Sequence, residues 1–423
     1  MKFLFVTEES LSADLAWQLK KEGHEVKMYC HGQGEKDVGL GFFDKVDEWD
    51  SLKDWADVIV FDDVGTGAKA EQLRSEGKFV VGGNPYTDKL ELDREFGQSE
   101  LNSVGVDVLP SWNFISFDEA TEFVRRNPDR YVLKPSGKAQ SEKELLFIGQ
   151  EADGKDILQV LEHYKATWSK KIKEFQLQKY AEGVEVAVGA FFNGKDFVLP
   201  VCVNFEHKRL FPGELGPSTG EMGNFCYWTK DSPIFERTLA KTREKLAASK
   251  FVGYIDINCI VNGKGIWPLE WTPRFGYPMI SIQMEGITSE WGQFLYDLAH
   301  GNEAQLKAKK GYQVGVVVAI PPWPFEDEKA FRKYSEGATI LFRRQALDGV
   351  HIGEVKQEGG DWRIAGNSGY ALVVTGSGAT MADAIDRAYQ NVKNVMIPNM
   401  FYRNDIGQRW ARESDLLISW GYI

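Results

Sequence analysis

Two carboxylates in one predicted strand pair are the first residues whose placement suggests chemistry. Asp256 lies in the run GYIDINCIV and Glu270 in IWPLEWTP, and the turn Asn262-Gly263-Lys264-Gly265 between them predicts an antiparallel hairpin that brings both acids to one face. Hard oxygen ligands on adjacent strands suit Mg²⁺, an ion usually shared with substrate phosphates, although two solvated strand carboxylates would leave the same trace. Lys134 closes the apolar run YVLK just ahead of Pro135, Ser136 and Gly137. A lysine there can set one positive charge beside nucleotide phosphates while turn amides donate to their oxygens. A third segment, EHKRLFPGELGPSTGEMGNF from Glu206 to Phe225, is rich in glycine and carries His207, Lys208 and Arg209 at its head. The backbone entropy of such a loop is too large for a plain connector and predicts a substrate-binding or lid role. His207 has no serine or cysteine neighbour to activate, which argues against a nucleophilic triad.

These residues need a scaffold, and the chain opens as a parallel α/β unit. Apolar FLFV (Phe3 to Val6) is followed by a polar turn, a helical stretch around Leu11 to Lys20, a stop at Gly23 and the strand EVKMYC, with further strands at Asp57 to Phe61 and Lys78 to Val81. Residues 1–87 are therefore expected to form a doubly wound domain. Its ligand loops would lie at the strand carboxyl ends, Thr7 to Ser10, Asp62 to Gly67 and Gly82 to Pro85. A charged helix is expected over Asp88 to Asn102, then strand, helix and strand in WNFI, DEATEFVRRN and RYVLKP. The Asn193-Gly194 turn joins EVAVGAFFNG to FVLPVCVNF as a hairpin. Beyond the charged stretch Asn302 to Lys310 the runs GVVVAI, DGVHIGEV, DWRIAG and YALVVTGSG read as strands, and ATMADAIDRAYQNVKNV as a closing helix.

Composition narrows the classes. A chain of 423 residues, 43% hydrophobic and 26% charged, is globular and long enough for several domains. Its 62 acidic against 50 basic residues give a net charge of −12, which disfavours nonspecific nucleic-acid binding. Cys30, Cys202, Cys226 and Cys259 form no C-x-x-C pair, so buried thiols are expected. No stretch approaches the roughly 18 apolar residues of a membrane span, and the N-terminal apolar run is too short for a signal sequence, which predicts a cytoplasmic protein without a membrane partner.

Taken in order, these features resemble the ATP-grasp superfamily and, within it, the glycinamide ribonucleotide synthetase family. HKRLFPGELGPSTGEMG is similar to that family's HKR…GPNTGGMG loop, LEWTPRFGYP to its E-x-N-x-R-F-G-D-P, and FYRNDIGQR to its R-x-D-I-G-x-R ending. The resemblance implies an α/β fold, α+β in parts: a pre-ATP-grasp domain over 1–87, an ATP-grasp domain over 88–305 with a small lobe at about 113–180, and a mixed C-terminal domain over 306–423. It implies ATP and Mg²⁺, with Mn²⁺ as a substitute, as cofactors. Residue by residue, Arg94 and Lys134 match the basic ATP positions, Gln178, Lys179, Tyr180 and Ala181 the hinge whose backbone reads adenine, and Glu185 the acid facing the ribose. Asp256, Glu270 and Thr272 match metal positions, and Arg274 the residue that steadies an acyl phosphate. His207, Lys208, Arg209, Ser218, Thr219, Gly220 and Glu221 fall in the substrate loop.

Three departures bear on the substrate. Thr272 stands where asparagine is common, and a hydroxyl is a weaker metal ligand. The family's N-terminal phosphate loop is replaced by Thr7-Glu8-Glu9-Ser10, and its glycine-rich lid by KPSGKAQSEKELLFIG, where Lys138 and Lys143 supply charge. The expected activity is ATP-dependent joining of a carboxylate, glycine or a similar amino acid, to a divergent amine through an acyl phosphate. Phosphoribosylamine–glycine ligation in purine biosynthesis is the alternative, and a nucleotide-binding regulatory protein without catalysis a reading of another class.

Overall fold

The computed structural model describes residues 1–136, 145–325 and 327–423. Five strands, β1 (Lys2–Thr7), β2 (Glu25–Cys30), β3 (Asp44–Lys45), β4 (Val58–Phe61) and β5 (Val80–Val81), form a parallel sheet in the order β3-β2-β1-β4-β5. VIVF of β4 is buried at every position, as strands covered on both faces by helices must be. The strand order reverses between β1 and β4, so the crevice where open α/β sheets receive ligands lies between Thr7 and Asp62.

The expected helix over Asp88 to Asn102 is two helices, Pro85–Leu92 and Arg94–Ser103. Asp93 is extended (φ −118°, ψ 92°) and its carboxylate accepts from the Phe96 amide, capping the second helix and setting Arg94 at its first position. There follows a small four-stranded sheet of β6 (Ser111–Phe114), β7 (Tyr131–Pro135), β8 (Phe147–Ile148) and β9 (Phe175–Lys179), in the order β6-β9-β7-β8. Helices Phe117–Arg126 and Lys155–Thr167 cover it, and Val124, Leu133, Ile157, Leu161 and Phe175 belong to a core separate from that of the rest of the chain.

The large sheet is antiparallel. Its ladder runs from β16 (Gly265–Thr272) through β15 (Val252–Asn262), β10 (Val184–Asn193), β11 (Phe197–Glu206), β14 (Gly223–Thr229) and β17 (Tyr312–Ala319) to strands Tyr370–Gly378 and Val350–Ile352. The β14–β17 pairing, with Phe225 opposite Val314, continues the sheet across position 305. Between β11 and β14 the glycine-rich segment is not an open loop, as the sequence suggests. It forms a two-stranded ribbon, β12 (Arg209–Phe211) and β13 (Leu215–Ser218). All four cysteines are free and buried, and among the described residues no helix is long and apolar enough to cross a membrane.

Candidate functional site

The two sheets meet at a set of charges. Lys134, the penultimate residue of β7, is only 8% exposed. Burial, followed by repulsion from Arg94, pushes its ammonium down to about 8, while Glu270 and Glu185 pull in the opposite sense. Arg94 reaches over from its helix and donates Nη1 to the Pro135 carbonyl at 3.0 Å. Its own pKa is lowered by burial, with Glu270 opposing. Gly137, Lys138 and Lys143 lie outside the described residues.

Along β9, Gln178 is buried and its Nε2 has no hydrogen-bond partner. Lys179 is exposed and pairs with Asp129 at 2.6 Å. The Lys179 amide donates to Pro110 O and the Tyr180 amide to Arg130 O, both at 2.9 Å, and the Arg130 guanidinium stacks 3.4 Å over the Tyr180 ring. The Lys179 and Tyr180 amides are therefore engaged within the protein.

On the β15–β16 hairpin, Asp256 pairs with Thr272 and Asn258 with Glu270, so all four share one face, a register set by a shift between Asn258 and Cys259. Asp256 nevertheless turns inward: its Oδ2 accepts from Asn204 Nδ2 at 3.0 Å and from the Tyr254 hydroxyl at 3.3 Å. Burial, then Glu206, pushes it up to about 7. Gly189 lies opposite on β10, and a Cβ there would collide with the Tyr254 hydroxyl and come within 2.7 Å of Asp256 Oδ2. Glu270 meets Lys208 instead. The Lys208 ammonium sits 2.8 Å from Glu185, 3.0 Å from Glu206 and 3.4 Å from Glu270, and although burial opposes it, these carboxylates raise its pKa well above the ordinary value. Glu206 and Asn258 are residues that sequence reasoning missed. Asn258 Nδ2 donates to Glu206 Oε2 at 2.9 Å, and its Oδ1 is buried with no partner. Among the described residues no group of three or more acidic, histidine or cysteine side chains stands arranged as a metal cage. Yet three carboxylates already share one cation and an unpartnered amide oxygen lies beside Glu206, a hard donor set that fits Mg²⁺.

The ribbon is anchored from the C-terminal part of the chain. Arg403, with its side chain 1% exposed, pairs with Glu214 at 2.7 Å and Asp405 at 2.8 Å and donates Nη1 to Arg209 O, and Arg409 donates to Glu206 O. Arg403 and Arg409 are the two arginines of the R-x-D-I-G-x-R ending. His207 is buried beneath the ribbon with both ring nitrogens unpartnered, and burial followed by Arg409 and Arg403 pushes its pKa well down, so it is neutral. Thr219 donates both its amide and its hydroxyl to Lys208 O and fixes that residue's backbone. Arg209 donates to Gly216 O and pairs across the ribbon with Ser218; Gly220 is exposed and Glu221 buried.

Arg274 is tied down. Its Nη2 pairs with Glu91 at 2.9 Å, its Nε lies 4.0 Å from Asp63, and Nη1 donates to Phe275 O. Burial is outweighed by Glu91 and Asp63, which raise its pKa. Asp63 belongs to the loop after β4, so this arginine links the N-terminal crevice to the large sheet. In that crevice Ser12 gives both its amide and its hydroxyl to Asp62 Oδ2 (3.2 and 2.5 Å), and Tyr277 donates to Asp62 O at 3.1 Å. Asp62 is 1% exposed, Oδ1 has no hydrogen-bond partner, and burial pushes it up to about 7. Glu8 and Glu9 are exposed at the end of β1. Lys45, another residue missed from sequence because β3 has only two residues, donates to Ser10 Oγ at 3.1 Å.

A parallel N-terminal sheet, a small antiparallel lobe with its own core and a large antiparallel sheet facing it define the ATP-grasp class of proteins. Residues 93–279 match the family described as phosphoribosylglycinamide synthetase, ATP-grasp (A) domain, and residues 313–409 its C domain. The chain belongs to the phosphoribosylglycinamide synthetase family of ATP-grasp ligases. A phosphoribosylamine–glycine ligase of Clostridium acetobutylicum is 23% identical over 434 residues, covering 96% of this chain and 100% of the relative. That of Rhizobium meliloti is 24% identical over 433 residues, covering 98% and 100%. Among solved structures, the phosphoribosylamine–glycine ligase of Thermotoga maritima matches with a TM-score of 0.72 at 20% identity, over 96% of this chain and 100% of that one. The biotin carboxylase domain of Hydrogenobacter thermophilus 2-oxoglutarate carboxylase, in complex with MgADP, ADP and bicarbonate, matches at 0.65 and 13% identity, over 95% and 91%.

Proposed function

We propose that this ligase activates the carboxylate of glycine or a similar small amino acid and joins it to an amine that carries no phosphate. The γ-phosphoryl group passes from ADP oxygen to a carboxylate oxygen. The amine nitrogen then attacks the acyl carbon, phosphate leaves, and the nitrogen loses a proton. Lys134 and Arg94 face the nucleotide phosphates, Gln178 to Ala181 line the base, Glu185 faces the ribose and Arg274 lies nearest the acyl group. Asp256, Glu270 and Thr272 share the strand face that holds Mg²⁺ or Mn²⁺, and the ion, when bound, neutralises charge on the transferring phosphoryl group. His207, Lys208, Arg209 and the Ser218-to-Glu221 turn bound the carboxylate side.

The observation that carries the choice of amine is the acidic crevice. Glu8 and Glu9 stand exposed at the end of β1 and Asp62 keeps a buried oxygen without a partner. Two like charges about 4 Å apart repel by roughly 1 to 4 kcal/mol between bulk water and a surface site, so a phosphorylated acceptor is disfavoured and an ammonium or neutral amine favoured. A second reading has specific support: the relatives are named phosphoribosylamine–glycine ligases, and Lys45 offers one cation at this edge. The two are separated by ADP release with glycine fixed and the amine varied, in the unmodified protein, in Glu8→Gln/Glu9→Gln and in Lys45→Ala. The proposal expects turnover with unphosphorylated amines that survives Lys45→Ala. Efficient phosphoribosylamine turnover lost in Lys45→Ala would establish the relatives' reaction instead, and no ADP release with any amine would favour a regulatory protein.

A further inference from the structure

Three carboxylates from three strands converge on the one ammonium of Lys208. Glu185 lies on β10, Glu206 ends β11 and Glu270 lies on β16, and all reach the Lys208 ammonium within 3.4 Å. Asn258, 2% exposed, stands opposite Glu270 and holds the Glu206 carboxylate with its Nδ2, while the Oδ1 of the same amide is buried and unpartnered. A buried carbonyl oxygen without a donor costs about 1 to 3 kcal/mol. It is satisfied if a cation enters beside Glu206. Asp256, by contrast, is turned to Asn204 and Tyr254, and Thr272 offers only a hydroxyl.

We propose that Glu206 and Glu270, with Asn258 Oδ1, are the divalent-cation ligands of this chain, and that the Lys208 ammonium occupies their site whenever the metal is absent. The inference rests on the reading of this strand face as the metal site and moves the ligand set from Asp256 and Thr272 to Glu206 and Asn258. Lys208 is the residue next but one to Glu206, so its long side chain can leave the carboxylates without any shift of β11, and the Thr219 bonds to its carbonyl hold the backbone fixed as it does so. The resident ammonium keeps three neighbouring carboxylates from repelling one another in the free protein. It also makes the metal compete with a tethered cation, so the free protein binds metal weakly.

The test is Mn²⁺ binding to the full chain without nucleotide, followed by electron paramagnetic resonance of free Mn²⁺. Lys208→Met should bind one Mn²⁺ about tenfold or more tightly than the unmodified protein, the equivalent of about 1.4 kcal/mol. Lys208→Met/Glu206→Gln should lose that gain, and Lys208→Met/Asp256→Asn should keep it. Lys208→Gln, which is one atom shorter but stays polar and loses the charge, should behave like Lys208→Met and covers the case in which the methionine variant does not fold. No gain in either Lys208 variant, or a gain that survives Glu206→Gln and disappears with Asp256→Asn, overturns the proposal. Because no turnover is measured, failure here is distinct from failure of the ligase reading, which ADP release tests alone.

Discussion

Replacing Lys134 by methionine should make the free protein more stable and its ATP complex weaker. The side chain is 8% exposed and its ammonium titrates at about 8 against an ordinary 10.5, which is roughly 3 kcal/mol of penalty on the charged form. The sign follows from linkage: a lysine lowered on folding binds fewer protons in the native state, so the penalty is fully present below pH 8 and fades as pH rises towards the unfolded value. Methionine keeps the length and removes the charge, so apo stability at pH 7 should rise by about 1 to 3 kcal/mol. Against this, an ammonium about 4 Å from one phosphate charge contributes roughly 4 kcal/mol at a surface-like effective dielectric, and part of that survives desolvation of the ligand. A loss of about 10²- to 10³-fold in ATP affinity is expected, with adenosine affinity almost unchanged. Urea denaturation at pH 7 and pH 10 reads the first effect, and calorimetry with ATP and adenosine the second. Equal losses for the two ligands, or an apo protein destabilised by the substitution, would show that Lys134 supports the fold and does not meet phosphates.

Glu270→Gln should reduce Mg²⁺-dependent ADP release by about 10²- to 10³-fold without changing Tm, because the side chain is 53% exposed and loses charge but little volume; near-normal turnover with the same Mg²⁺ requirement would count against it as a metal ligand. ATP binding should take up protons as pH rises, from close to none at pH 7 to about 0.9 at pH 9, since Lys134 starts neutral above about 8 and is recharged by the phosphates; calorimetry in buffers of different ionisation enthalpy measures this, and Lys134→Met should abolish it. Gly189→Ala should destabilise by about 1 to 3 kcal/mol, as its Cβ drives into the Tyr254–Asp256 pair, and because the Tyr254 ring carbon would still lie 2.5 Å away, Gly189→Ala/Tyr254→Phe should not recover Tm; an unchanged Tm in Gly189→Ala would refute the close approach.

Much of the strand scaffold was legible because its signals are local. An apolar run ending in Lys134-Pro135 is a strand whose last side chain is polar, and the Asn193-Gly194 turn is a short-range hairpin signal, realised with Gly194 at φ +87°. The misreadings share a different cause. The break at Asp93 interrupts a charged pattern that continues on both sides, and Asp93 is followed by Phe96 at the position where an acid would have completed a capping box. The ribbon of β12 and β13 is three and four residues long and is held by Arg403, almost two hundred positions away, which no spacing rule connects to it. Asn258 faces Glu270 only because the ladder shifts register between Asn258 and Cys259, a bulge that leaves no mark in the sequence. Lys45 sits on a strand too short to be read at all.

The direction in which burial moves each cation separates residues waiting for a ligand from residues already satisfied. Lys134 and Arg94 are buried and pushed down, because the protein supplies them less negative charge than desolvation takes away. Arg274 is half-buried and pushed up, because Glu91 and Asp63 outweigh its burial. Lys208 is raised likewise by its three carboxylates. A cation kept in deficit destabilises the free protein, and that cost is offset when a polyanion arrives. The deficit lies on β7 and on the helix that starts at Arg94, and in the proposed reading a nucleotide's phosphates would supply what is missing. The N-terminal crevice is acidic: burial holds the Asp62 carboxyl up at about 7, Glu8 and Glu9 are exposed at the end of β1, and Arg274 is paired with Glu91 and Asp63. One sheet end therefore attracts negative charge and the other positive charge, and the same arginine that joins them screens neither. An acceptor that brought a phosphate into the crevice would meet the Glu8 and Glu9 carboxylates beside Lys45, whereas an ammonium would meet carboxylates of opposite charge.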